Sequence, residues 1–138
     1  MSDGENVPPI ASDEWLARFI HYQRYIRQDR TVRADAFIPH PYPDLSVTRH
    51  LHLSQAELWR IGHDVARQIN KTLHGRVDVQ VFLFQRQRLQ VVADPIFPEN
   101  PNHANVTGWP AEKPAQKIIA QQIAAAAGKV LAPAASHQ

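Results

Sequence analysis

The sequence predicts an α+β protein, a small and mostly antiparallel sheet with two main helices packed on one face. Three observations predict it. Residues 54–74 carry a capped, one-sided apolar stripe. Residues 76–84 and 89–93 alternate apolar and polar side chains, and residues 114–127 hold a narrower apolar face.

A chain of 138 residues fits one domain. At that size about two-thirds of the unfolded surface can be buried, so no staple is needed. The absence of Cys excludes disulfides, thiol nucleophiles and Cys-ligated metal sites. The opening Met-Ser-Asp-Gly-Glu-Asn lacks a cationic start and apolar core, and no run reaches the length of a membrane span. The expectation is a soluble, cytoplasmic protein with no membrane partner and no cofactor. Net charge is +2, too mild for a dedicated nucleic-acid binder.

In chain order, residues 1–11 read as a flexible N-terminal arm or an extended strap, 12–131 as a single globular domain and 132–138 as a frayed tail. Residues 12–28 fit two patterns. Trp15, Phe19, Tyr22 and Ile26 are spaced as one helical face, whereas the stretch 18–22 suits a strand. The preferred reading is a short helix near 13–17 followed by a strand. Pro39, Pro41 and Pro43 stiffen an extended loop, and alternation at 45–49 predicts a short strand.

Residues 54–74 predict the firmest element. Ser54 and Glu57 form a capping-box pattern, and Leu58, Ile61, Val65, Ile69 and Leu73 line one face. Gly75 is expected to stop this helix. The runs 76–84 and 89–93 predict a β-hairpin with a basic tip at Arg86 and Arg88. Residues 95–110 then make a long, proline-rich connection. The last helix spans 114–127, with Ala115, Ile118, Ile119, Ile123, Ala126 and Ala127 inward, Glu112 aiding its start and Pro114 as its first residue.

Ala36-Phe37-Ile38-Pro39, Leu45-Ser46-Val47-Thr48-Arg49, Leu58-Trp59-Arg60-Ile61-Gly62 and His103-Ala104-Asn105-Val106-Thr107-Gly108-Trp109-Pro110 occur in that order. In this the chain resembles a group of small bacterial proteins of unknown function. The resemblance spans residues 17–127 and implies no activity.

The segment 103–110 concentrates specialised residue types, so it is expected to be a hinge that seats Trp109 between the returning ribbon and the last helix. Trp109 and Asn105 are candidate binding residues there. His103, oriented by Asp94, is a candidate acid or base, with Arg49 to stabilise an anion. His50 and His52, two apart on a continuing strand, form a weak metal pair with His103 as a third ligand. The structural reading is preferred for all of these: backbone capping by His103, an Asx-turn at Asp94 and a core role for Trp109. Arg24, Arg27, Arg86 and Arg88 are candidate anion contacts, although a solvated face accounts for them as well. The function expected is a non-catalytic binding or accessory module with a protein or anionic partner, nucleic acid included. The alternative is a small His-dependent hydrolase or nuclease, with or without metal.

Overall fold

The computed structural model describes residues 7–134. Its centre is a five-stranded antiparallel sheet of β1 (Trp15–Ile20), β2 (Leu45–Arg49), β3 (Gly75–Gln80), β4 (Gln90–Ala93) and β5 (His103–Thr107) in the order β3-β1-β2-β5-β4. Two long helices, α1 (Gln55–Gln68) and α3 (Lys113–Ala126), flank it, and a short α2 (Val81–Gln85) links β3 to β4. The α+β class is therefore the one expected. None of the described helices is long and apolar enough to cross a membrane.

The helices do not share a face. Leu16 and Ile20 of β1 join a large core with Ala120 and Ile123 of α3. Ala17 and Phe19, pointing the other way, join a smaller core with Leu58, Trp59, Ile61 and Ala66 of α1. Successive strand side chains alternate between faces, so β1 is apolar on both and each face needs its own cover.

This also settles residues 13–20, where the helix expected near 13–17 is absent. The chain is already a strand at Trp15, and it pairs with β3 from Trp15↔Gln80 to Ile20↔Gly75. Its apolar spacing suits a helix, but two-sided burial and pairing prevail over that periodicity.

α1 begins with the expected capping box. The Glu57 backbone N–H donates to Ser54 Oγ at 3.1 Å, and the Ser54 N–H donates to Glu57 Oε1 at 2.9 Å. It ends at Gln68, earlier than expected, because Asn70 takes the left-handed conformation (φ 56°). Lys71 N–H then donates to Ala66 O at 2.8 Å, closing the end. Gly75 opens β3, where a Cβ would lie 2.6 Å from Leu131 O.

The expected hairpin does not form. β3 stops at Gln80, and β3 and β4 stand at opposite edges of the sheet. Val81 and Phe84, three apart on α2, both enter the larger core, and Phe84 meets Phe37 edge-on at 6.4 Å. Helical spacing thus replaces the alternation read across 81–84. Strand β4 pairs instead with β5, from Gln90↔Thr107 to Ala93↔Ala104.

β5 also corrects the long connection expected over 95–110. The segment taken for a hinge is itself a strand, held between β2 and β4. α3 starts at Lys113 with Pro114 in its first turn, and Glu112 at the N-cap makes no side-chain capping bond. Its buried residues are Gln116, Ala120 and Ile123, while Ile118 is 63% exposed, so the inward face is rotated from the one expected. Gln116 ties α3 to the proline segment: its Nε2 donates to Pro110 O, and its Oε1 accepts from the His40 N–H.

Both ends of the described chain are fastened. Arg49 donates to Pro8 O and Pro9 O. Leu131 bridges to Arg76 on the outer edge of β3, and His63 Nε2 donates to Ala134 O at 2.9 Å. The arm is thus held at residues 8–9 and the tail at Ala134. Residues 1–6 and 135–138 of the two segments lie outside the described residues.

Candidate functional site

The geometry of β5 places His103 and Asn105 on the same face of the sheet, two residues apart. His103 Nδ1 lies 2.9 Å from the main-chain O of Asp94 and 3.4 Å from its Oδ2. A carbonyl oxygen only accepts, so Nδ1 carries the hydrogen, and in the neutral ring Nε2 is the acceptor. Asn105 Nδ2 donates to Asp94 Oδ2 at 2.9 Å. The structure thus brings together three residues singled out from the sequence, His103, Asp94 and Asn105.

His103 lines a cleft of about 200 Å³ between the C-terminal end of α1 and the sheet. The cleft lies where one strand pairing stops. β1 pairs with β2 only at Leu16↔Arg49 and Ala17↔Thr48. Farther along, the Arg18 side chain fills in, donating from Nε to Ala36 O at 2.7 Å and from Nη1 to Ser46 O at 2.9 Å. Phe19, His21, Ser46 and Thr48 line the sheet side. Val65, Gln68 and Ile69 come from α1 and its end, and Ile96, Glu99 and Asn100 from the segment between β4 and β5.

Two polar groups in this lining lack partners. Asn100 is 4% exposed; its Nδ2 donates to Thr48 Oγ1 at 2.8 Å, but its Oδ1 is buried without a hydrogen bond among the described residues. His21 Nε2 is in the same condition. Burial, followed by the charges of Arg18, His74 and Lys71, pushes the His21 pKa down to about 4, so this imidazole is neutral at pH 7. A buried unsatisfied polar group costs about 1–3 kcal/mol, and few are found in folded proteins.

The other sequence candidates lie elsewhere. Arg49 follows Thr48, which is paired with His103, so its side chain leaves from the opposite face. There it meets Glu14 and the carbonyls of Pro8 and Pro9. His50 Nε2 is 3.0 Å from Asp78 Oδ1, and Asp78 also accepts from Arg76. Burial pushes the Asp78 carboxyl up, but hydrogen bonds and charge from His50 and Arg76 outweigh it, and the net shift is downward. His52 is exposed in a turn with φ 60°, because β2 ends at Arg49 and does not continue to align the two imidazoles. His50, His52 and His103 therefore do not meet, and no cluster of three potential metal-ligating His, Asp or Glu occurs among the described residues.

The arginines are distributed rather than focused. The Arg24 guanidinium stacks on Tyr22 at 4.5 Å and Tyr25 at 5.2 Å, while Arg27 donates to Val32 O. Arg86 and Arg88 lie in the turn from α2 to β4, not on a hairpin tip, and Arg88 has φ 64°. Trp109 is half-buried against the larger core, and its indole N–H donates to Val106 O at 3.0 Å.

Sequence reasoning passed over His21, Thr48 and Asn100. His21, just after β1, and Thr48, within β2, carry no local signal. Asn100, between Pro98 and Pro101, had one: a small amide in a proline-rich connection is a frequent turn former. The fold and site together define a small α+β protein with a cleft between α1 and the sheet. Comparison with known protein families, with curated proteins and with solved structures finds no match in any of the three.

Proposed function

We propose that the protein is a non-catalytic binding module whose ligand occupies the cleft between α1 and the sheet. One observation carries this reading: Asn100, almost wholly buried, lines the cleft, and its side-chain oxygen has no hydrogen-bond partner among the described residues. A bound partner would supply the missing hydrogen bond, and the apolar walls of Phe19, Val65 and Ile69 would supply affinity. The anion-binding reading has less support, because Arg49 is neutralised by Glu14 and Arg24 already stacks on two tyrosines.

The test is a fragment screen read by amide NMR on the labelled full chain. Hits should perturb Phe19, Thr48, Asn100 and His103 together. Ser46→Trp, which fills the cleft from an exposed position, should abolish them. Hits scattered over the surface, or unaffected by Ser46→Trp, would count against the reading.

The hydrolase or nuclease reading keeps one specific support, the contact of Asp94 with His103 Nδ1, which leaves Nε2 as a base. It lacks the anion stabiliser first assigned to it, since Arg49 projects from the other face. Turnover of a phosphodiester or ester reporter that disappears in His103→Ala would favour this second reading.

A further inference from the structure

The ligand's chemistry follows from what the cleft offers and what it withholds; this inference rests on the binding reading above. The polar atoms without partners are acceptors or can serve as such. Asn100 Oδ1 is an acceptor with its own amide nitrogen committed to Thr48. His103 Nε2 is an acceptor in the neutral ring, because Nδ1 donates to Asp94 O. A group that completes them must therefore bring hydrogen-bond donors.

Charge is unwelcome from either side. An anion would face these acceptors and the carboxylate of Glu99, while the nearest cation, Arg18, already directs Nε and Nη1 to Ala36 O and Ser46 O. A cation near His21 would meet the positive charges of Arg18 and Lys71, the same charges that disfavour a proton on that ring. Size is also bounded. A volume of about 200 Å³ equals roughly seven waters' share of the liquid, below the roughly 300–1,000 Å³ of pockets for drug-sized ligands. Phe19, Val65, Ile69 and Ile96 leave most of the wall apolar.

We propose that the cleft binds a compact, uncharged, N–H-donating molecule with an apolar ring body, of the size and polarity of indole, its N–H reaching Asn100 Oδ1 as a small shift of that side chain uncovers the occluded oxygen. The apolar body displaces water from the walls, and the donor completes the amide.

Four probes of similar size test this by NMR titration of the labelled full chain: indole, 1-methylindole, benzoate and benzylamine. Indole should shift the Asn100 side-chain amide together with Phe19 and Thr48. 1-Methylindole, which lacks the donor, should bind about fivefold more weakly, the worth of roughly one hydrogen bond. Benzoate and benzylamine should be weaker still. Asn100→Leu should remove the preference for indole over 1-methylindole. The comparison in the unmutated chain decides the matter if that variant does not fold. Equal binding of indole and 1-methylindole overturns the donor assignment. Tighter binding of benzoate or benzylamine in the cleft overturns the uncharged class but leaves the binding reading standing. Silence from all four, with cleft hits from the wider fragment set, overturns the ligand class alone. Silence from both sets overturns the ligand class and the binding reading together.

Discussion

Arg49 and Glu14 form an ion pair from which water is almost excluded, with 2% and 9% of their side chains exposed. Arg49 Nη2 stands 3.0 Å from Glu14 Oε2, Nε bonds the other carboxylate oxygen, and the remaining donors reach Pro8 O and Pro9 O. One guanidinium thus joins the end of β2, the entry to β1 and the N-terminal segment.

Glu14→Ala should destabilise the protein by about 3–5 kcal/mol, the cost of leaving a buried charge unpaired. Arg49→Lys should recover only part of the loss caused by Arg49→Ala, since an ammonium cannot reproduce the fork geometry. Urea denaturation of the three variants checks both statements. A loss below 1 kcal/mol for Glu14→Ala would contradict the pairing.

His21 makes stability depend on pH in a definite direction. Its folded pKa is near 4, below the ordinary value of 6.5, so the unfolded chain binds the extra proton first. Its contribution is fully present above pH 6.5, is lost as pH falls from 6.5 to 4, and changes no further below that. The loss should be on the order of 2 kcal/mol, allowing for partial exposure of the ring. The stability of the protein minus that of His21→Asn, from denaturation between pH 7.5 and 4.5, should fall by about that amount as acid is added.

α3 offers a contrast between two isoleucines. Ile123 is 1% exposed in the larger core and Ile118 is 63% exposed. Ile123→Ala should cost about 2–5 kcal/mol, whereas Ile118→Ala should stay within about 0.5 kcal/mol. Thermal unfolding of the pair distinguishes the observed inward face from the one read off the sequence.

Gly62 is where α1 comes nearest the sheet. A Cβ there would lie 2.6 Å from Phe19 Cε1 and 3.2 Å from Leu73 Cδ2. Alanine favours a helix over glycine by about 1 kcal/mol, but displacing a buried ring costs about 1–3 kcal/mol. Gly62→Ala should therefore be net destabilising by chemical denaturation, and Gly62→Ala combined with Phe19→Leu should be less so than the two losses summed.

What was legible in the sequence was local. The Ser54–Glu57 cap joins residues three apart, and the stop of β4 at Asp94-Pro95 follows from proline chemistry. Pairing was not legible. Alternation in 76–84 says that a segment can be a strand but not which neighbour it takes. Val81 and Phe84 then show that a helical turn can satisfy nearly the same apolar count. β5 was missed because only Ala104 and Val106 of its five residues enter the core, and its stability comes from partners on both sides. At the site, the His103–Asp94 contact was anticipated, but its stronger bond runs through the main chain. Asn100 and Thr48 come together from distant parts of the chain, and His21 is perturbed by burial, by Arg18 close by on the chain, and by His74 and Lys71 from the segment between α1 and β3. No short window of sequence contains those relations.

The strand order also constrains how the chain can acquire its structure. Trp15 must find Gln80 before the β3 edge exists, and Leu45 must find Val106 before the two halves of the sheet join. Among the described residues, the strands adjacent in both sequence and space are β1 with β2, paired at two positions, and β4 with β5 at one margin. Assembly by successive local zippering is therefore closed to most of the sheet. The β1–β3 and β2–β5 pairings each carry the entropic cost of closing a long loop, which slows folding relative to a fold built from local contacts.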